Sequence, residues 1–209
     1  MTPGSFITLE GIEGAGKSTL AAALTVMLER RGVDIVRTRE PGGTPLAERV
    51  RAVVLEPGAE ALTPVAEMLL MFAARRIHLD NLVRPALARG ACVICDRFTD
   101  ATRAYQGAGR GVAMQLIDHL ASLVHDGLQP SATVLLDLPV ADGLARARAR
   151  RGEPDRFEVE ETAFFERVRA CYLELAHAEP ERFIVLDARR PPQELADEAA
   201  NALLARLSG

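Results

Sequence analysis

The sequence is nearly without lysine: of 25 basic residues among 209, one is lysine, Lys17, and the rest are arginine. Tryptophan is absent, and nine aromatic residues (seven Phe, two Tyr) leave little for stacking. No apolar run approaches the ~18 residues that crossing a bilayer requires. Residues Met1 to Ser5 hold neither a basic cluster nor a long apolar stretch, so no secretion signal is expected. Three cysteines are too few for a disulfide framework. Cys92 and Cys95 form a C-x-x-C, yet no second Cys or His pair is spaced to complete a zinc site, and strand alternation sends the two thiols to opposite faces. Positive charge is not in excess: the net charge is −4, which argues against a broad nucleic-acid footprint. A cytoplasmic chain with reduced core thiols is expected, with neither membrane nor nucleic acid as partner.

What is present reads as one α/β domain over residues 1–209. Five short β-rich runs, at 6–10, 33–38, 91–96, 132–138 and 183–187, alternate with helical patterns near 17–31, 45–55, 63–89, 112–126, 140–150, 159–178 and 192–207. Alternation of this kind predicts a five-stranded parallel sheet flanked by helices, with strands buried on both faces. Two stretches interrupt it. Residues 97–111 are polar and glycine-rich, unlike core, and residues 146–158 carry a run of arginines around a Gly/Pro break.

The lone lysine closes Gly11-Ile12-Glu13-Gly14-Ala15-Gly16-Lys17-Ser18, directly after the first strand and at the start of a helix. This is the Gly-x-x-x-x-Gly-Lys-Ser pattern, whose backbone N–H groups cradle phosphates while the hydroxyl ligates Mg²⁺. Lysine suits the place because a compact ammonium can reach along a nucleotide where a planar guanidinium fits poorly. Thr19 offers a further hydroxyl near the α-phosphate. Glu13 is unusual there; it either points to solvent or accepts a hydrogen bond from a second substrate's hydroxyl. The third run ends in Asp96-Arg97. The acid would hold Mg²⁺ beside Ser18, and the arginine could grip a phosphate, unless the two simply pair with each other. On the long third helix, Phe72 and Arg76 are i and i+4 and share a face. They read either as a stacking and hydrogen-bonding pair for a base or as a core residue beside a solvated arginine. Four histidines (His78, His119, His125, His177) are spaced for neither a metal nor a triad.

Taken with Thr38-Arg-Glu-Pro-Gly-Gly-Thr44, Met71-Phe-Ala-Ala-Arg-Arg76, Ala104-Tyr-Gln-Gly107 and Arg150-Arg-Gly-Glu-Pro-Asp-Arg-Phe-Glu158, these motifs make the chain resemble bacterial thymidylate kinases over nearly its whole length. The resemblance implies a P-loop nucleoside-monophosphate kinase fold with a small Arg-rich lid. It implies transfer of the γ-phosphoryl group of ATP to dTMP in dTTP biosynthesis, with Mg²⁺, in a homodimer. It gives Phe72 and Arg76 to the thymine, Arg97 and Arg39 to the monophosphate, and Glu13 to the sugar 3′-hydroxyl. Tyr105 and Gln106 fall in the acceptor site, Tyr105 crowding the 2′ position. Thr102 is left as partner of the base N3 edge, since Ala101 stands where relatives often have Ser. With Gly14 and Ala15 in the P-loop, the catalytic arginine must come from the lid, Arg151 first and Arg156 second, while Arg146 and Arg150 look like ordinary face residues. Adenine is expected near residues 188–191. The nearest alternative is a kinase for another deoxynucleoside monophosphate, or for a deoxynucleoside with Glu40 as base. A GTP-dependent switch is excluded, because its Asn/Thr-Lys-x-Asp motif needs a second lysine.

Overall fold

A computed structural model describes residues 4–55, 61–149 and 160–207. Five parallel strands, β1 (Phe6–Glu10), β2 (Ile35–Arg39), β3 (Cys92–Asp96), β4 (Ala132–Asp137) and β5 (Phe183–Asp187), lie in the order β2-β3-β1-β4-β5. The helices between them are α1 (Lys17–Glu29), α2 (Pro45–Leu55), α3 (Pro64–His78), α4 (Arg84–Ala88), α5 (Thr99–Thr102), α6 (Met114–His125), α7 (Val140–Ala149), α8 (Thr162–Ala178) and α9 (Pro192–Leu207). The expected five-stranded parallel sheet is therefore present. Burial on both faces holds for β1 and, up to the last residue of each, for β3 and β4. It fails for the edge strands, β2, where Arg37 and Arg39 are exposed, and β5, where Val185 is exposed. Among the described residues, no helix is long and apolar enough to cross a membrane.

Each face of the sheet has its own core. Cys92 and Ile94 join Ile7, Leu9 and Val134 under α1 and α9, while Cys95 and Val93 join Phe6, Phe98 and Leu79 on the other side. The two thiols thus face opposite ways, as strand alternation requires, and all three cysteines are free and buried. Between β1 and β4, Thr8 and Thr133 stand opposite each other and satisfy one another through a 2.8 Å hydroxyl bond.

Two stretches differ from expectation. The helix expected over 63–89 is two α-helices joined by a π-helical turn, Leu79–Val83. Pro85, one residue into α4, has no N–H and crowds the preceding turn, and the widened turn absorbs that mismatch. Residues 97–111 are largely buried, as α5 followed by a π-helical segment, Arg103–Gly109. Their polarity is paired rather than solvated. Asp100 meets Arg182 from the start of β5 at 2.6 Å, and Gln106 donates to Glu67 at 2.7 Å. Gly107 and Gly109 leave room for Met114 and Phe164.

Candidate active site

The strand order reverses about β1, and in such sheets ligands bind at the carboxyl edge where it does. One cavity of about 780 Å³ opens there. The loop of residues 11–16 leaves β1 and turns into α1 at Gly16, which caps the helix with φ +97, a left-handed conformation that favours glycine. No side chain can cap at that position, so the first N–H groups of α1 and its dipole remain open to an anion. Gly14 has φ +75, and a Cβ there would overlap the carbonyl of Gly143 in α7. Gly143 is tight in return, since a Cβ on it would lie 2.7 Å from the Glu13 carbonyl. Loop and helix meet backbone to backbone.

Lys17 opens α1 and is 8% exposed. Its Nζ donates to the carbonyls of Gly11 (2.8 Å) and Ile12 (2.9 Å). Burial, then the neighbouring Arg97, pulls the ammonium down to about 8 against the opposing pull of Asp96 and Glu13. An arriving polyphosphate would reverse that pull. The Ser18 hydroxyl donates to Asp96 at 3.1 Å from the end of β3. A hydroxyl and a carboxylate converging beside a phosphate cradle are hard oxygen donors, the set that suits a magnesium ion.

Arg97 follows β3 with φ +73, one of two non-glycine residues with positive φ among those described. Its guanidinium bonds Glu13 at 2.8 Å, the Tyr105 hydroxyl at 3.0 Å and the Tyr172 hydroxyl at 3.3 Å, and lies over the Tyr105 ring. Tyr105 in turn donates to Glu13 at 2.7 Å. Glu13 therefore points inward, toward Arg97 and Tyr105, rather than to solvent. Beneath this group Glu10 is fully buried. Burial first and Asp100 second push its carboxyl up to about 8, against Arg97 and two hydrogen bonds.

The pair on α3 is corrected. Phe72 lies in the core with Met68, Val112 and Ile117, and Arg76 faces out, paired with Asp80 at 2.7 Å. Neither lines the cavity. Their neighbours Met71 and Arg75 do, also i and i+4. Arg75 is almost fully buried, donating to Glu40 at 2.6 Å and to Thr102 at 3.1 Å, with its guanidinium between the Phe72 and Phe98 rings at 4.8 and 4.9 Å. Its remaining nitrogen, Nη1, has no partner among the described residues. A buried donor left over beside a cavity is a place for a ligand acceptor. The solvated i, i+4 pair Arg76–Asp80 is the sequence signal that could have separated the two arginines.

Glu40 is a node rather than a base. Burial alone would raise its carboxyl, but Arg75 and His78 outweigh burial and hold it below its usual value. A carboxylate so paired is a weak proton acceptor, which disfavours deoxynucleoside phosphorylation through Glu40. Glu40, His78 and Cys95 place ligand-type atoms within 4.8 Å of each other. The carboxylate is taken up by Arg75 and His78, however, and His78 bonds Glu40 through one nitrogen and Thr38 through the other, so the cluster is an ion-pair network and not a metal centre.

The other expected residues fall as follows. Thr19, Thr102, Tyr105 and Gln106 line the cavity. Arg39 lines its rim and pairs with Glu48, which also accepts the Gly43 N–H at 2.7 Å and so ties down the Pro-Gly-Gly loop. Arg151 and Arg156 lie outside the described residues. Arg146 was read as a face residue; it instead lines the cavity and donates to the Ala188 carbonyl at 2.9 Å. Arg51, which donates to Pro41, also lines it and was missed. Among the described residues, seven arginines and Lys17 face three carboxylates (Glu13, Glu40, Asp96) around this cavity, an excess suited to two phosphorylated ligands.

Similarity to known proteins points the same way. A family model described as thymidylate kinase matches residues 9–199. The thymidylate kinase of Pseudomonas fluorescens (strain SBW25) is 56% identical over 204 residues, covering 98% of this chain and 96% of its own. That of Trichlorobacter lovleyi is 50% identical over 208 residues, covering 97% and 98%. Among solved structures, a thymidylate kinase from Ehrlichia chaffeensis superposes with a TM-score of 0.78 at 34% identity, covering 96% of this chain and 98% of the other. The chain belongs to the thymidylate kinase family.

Proposed function

We propose that the protein transfers the γ-phosphoryl group of ATP to dTMP, giving ADP and dTDP. The observation that carries the reading is that one cavity is lined both by the P-loop and by Arg75, whose buried Nη1 has no partner among the described residues. ATP lies over the loop of residues 11–19, its phosphates on the open N–H groups of α1 and on Lys17, its adenine against the loop after β5 near Ala188 and Arg146. The dTMP base lies against Phe98, Met71 and Ala101, with Arg75 donating to a ring carbonyl and Thr102 near its N3 edge. Glu13 accepts from the 3′-hydroxyl, Tyr105 fills the space a 2′-hydroxyl would need, and Arg97 with Arg39 holds the monophosphate.

The attacking group is an oxygen of the dTMP phosphate, already ionised at neutral pH, so no side chain need remove a proton. A bond forms from that oxygen to the γ-phosphorus as the bond to the β-γ bridging oxygen breaks, and the electron pair leaves with ADP. The work of the chain is to align two anions and neutralise their charge through Lys17, Arg97 and the arginines beyond α7. A magnesium ion carried in with ATP would be held by Ser18 and Asp96 and would supply further neutralisation of phosphate charge. We take the enzyme to act in the cytoplasm, a reducing compartment that three free, buried thiols suit.

A coupled ADP-release assay across dTMP, dUMP, dCMP and thymidine tests the reading. Turnover should be highest on dTMP, absent on thymidine, and lost when EDTA removes magnesium. Preference for thymidine would overturn it. The active form is a homodimer joined through α3 and α6, which contact each other and expose Val65, Leu69, Leu116 and Leu123. Light scattering should give twice the 22.6 kDa chain mass, and Leu123→Glu should shift the particle to monomer. A wild-type monomer would end the dimer assignment.

A further inference from the structure

Arg97 departs from the usual backbone of a non-glycine residue, and such a conformation, costing about 1–3 kcal/mol, persists only where its surroundings over-determine it. Three contacts do so. Its own N–H bonds the Leu9 carbonyl at 3.0 Å. The next N–H, that of Phe98, donates to Glu10 Oε1 at 2.7 Å. On the side-chain end, Nη1 donates to the Tyr172 hydroxyl at 3.3 Å, and that hydroxyl is bonded to Glu10 Oε2 at 2.8 Å. One buried carboxyl thus holds the backbone just after Arg97 and, through a phenol, the guanidinium itself. Glu10 ends β1 and Tyr172 lies on α8, 162 residues apart in sequence, so the bracket spans the fold. Neither side chain is among those lining the cavity.

We propose that Glu10 and Tyr172 are positioning residues for the acceptor phosphate, holding one branch of the Arg97 guanidinium still while the other changes partner. Nη2 is shared between Glu13 and the Tyr105 hydroxyl. When dTMP enters, the monophosphate takes that branch and the 3′-hydroxyl takes Glu13. The Tyr172 bond on Nη1 is the one that need not break, and it sets the plane in which Nη2 meets the phosphate. It survives either protonation state of Glu10, because a carboxyl O–H can donate to a phenol oxygen as well as a carboxylate can accept from a phenol. Tyr172 is buried, in an edge-type ring contact with Tyr105 at 6.4 Å between centroids, so removing only the hydroxyl leaves the packing nearly unchanged. The inference rests on Arg97 meeting the acceptor phosphate.

Steady-state kinetics on Tyr172→Phe, Arg97→Lys and the double variant, with melting temperatures alongside, test it. Tyr172→Phe should raise KM for dTMP ~10-fold, the scale of one hydrogen bond to a charged group, and leave KM for ATP within about two-fold. In the Arg97→Lys background the same change should cost less than about two-fold, since the bond it serves is already gone. Glu10→Gln, which keeps one acceptor, should fall between wild type and Tyr172→Phe in KM for dTMP. An equal rise in both KM values, or the full cost persisting in the Arg97→Lys background, would make Tyr172 a packing residue and overturn the proposal. If Arg97→Lys itself leaves KM for dTMP unchanged, the reading of Arg97 fails instead, and with it the basis of the bracket.

Discussion

Lys17→Arg should keep the formal charge and lose most of the turnover, with kcat falling ~10²- to 10³-fold, the usual cost of one preorganised transition-state donor. The reason lies in the cradle. Carbonyls of Gly11 and Ile12 converge on one point at 2.8 and 2.9 Å from Nζ, in a pocket that leaves Lys17 8% exposed. A single ammonium satisfies both, whereas a planar guanidinium spreads its donors in a fixed fork and is longer. Electrostatics adds to the misfit. Burial and Arg97 already work against the charge on Lys17, pulling it down to about 8. An arginine there cannot shed its proton and would sit against Arg97 permanently charged. KM for dTMP should change little, because the acceptor pocket lies on other residues. Near-wild-type kcat in a pre-steady-state assay would show that the loop needs only a charge.

The second large effect is expected at Arg75, and it has two separable parts. Arg75→Met leaves the Glu40 carboxylate buried without its cation, a loss of about 3–5 kcal/mol, and the melting temperature should fall by roughly 10 °C. It also removes the unpartnered Nη1, so KM for dTMP should rise ~10- to 100-fold. Adding Glu40→Gln should return part of the stability, since the stranded charge disappears, yet none of the affinity. Arg76→Ala is the contrast. Its exposed pair with Asp80 is worth about 0.3–0.5 kcal/mol, and both KM values should stay put. If Arg76→Ala instead raised KM for dTMP and Arg75→Met did not, the two residues would have to exchange roles.

Those two arginines also mark how far the sequence could be read. Strands and helices followed from periodicity because each buries a face of its own, and β1, α2, β5 and α9 begin and end where the pattern says. The P-loop, Asp96 and Arg97 were legible because their chemistry is local: strand end, glycine turn, helix start. Which of two adjacent arginines turns inward is a matter of ~100° of helix rotation, fixed by packing against Phe98 and Glu40 from other elements. The buried polar segment after Arg97 was misread for a related reason. Its partners are 39 and 82 residues away, at Glu67 and Arg182, and no local window contains them. Arg51 and Arg146 look like any charged helix face until the sheet edge brings them round one opening.

The backbone contact between Gly14 and Gly143 has a consequence for descent. Moving a basic residue into the P-loop at residue 14 is not one step for this chain, because the new side chain would strike the α7 carbonyl and would demand φ +75 of a residue that resists it. The helix would have to shift before the loop could change, or both together. Each change alone should be a loss, so a basic side chain at residue 14 would be gained only together with a reseating of α7.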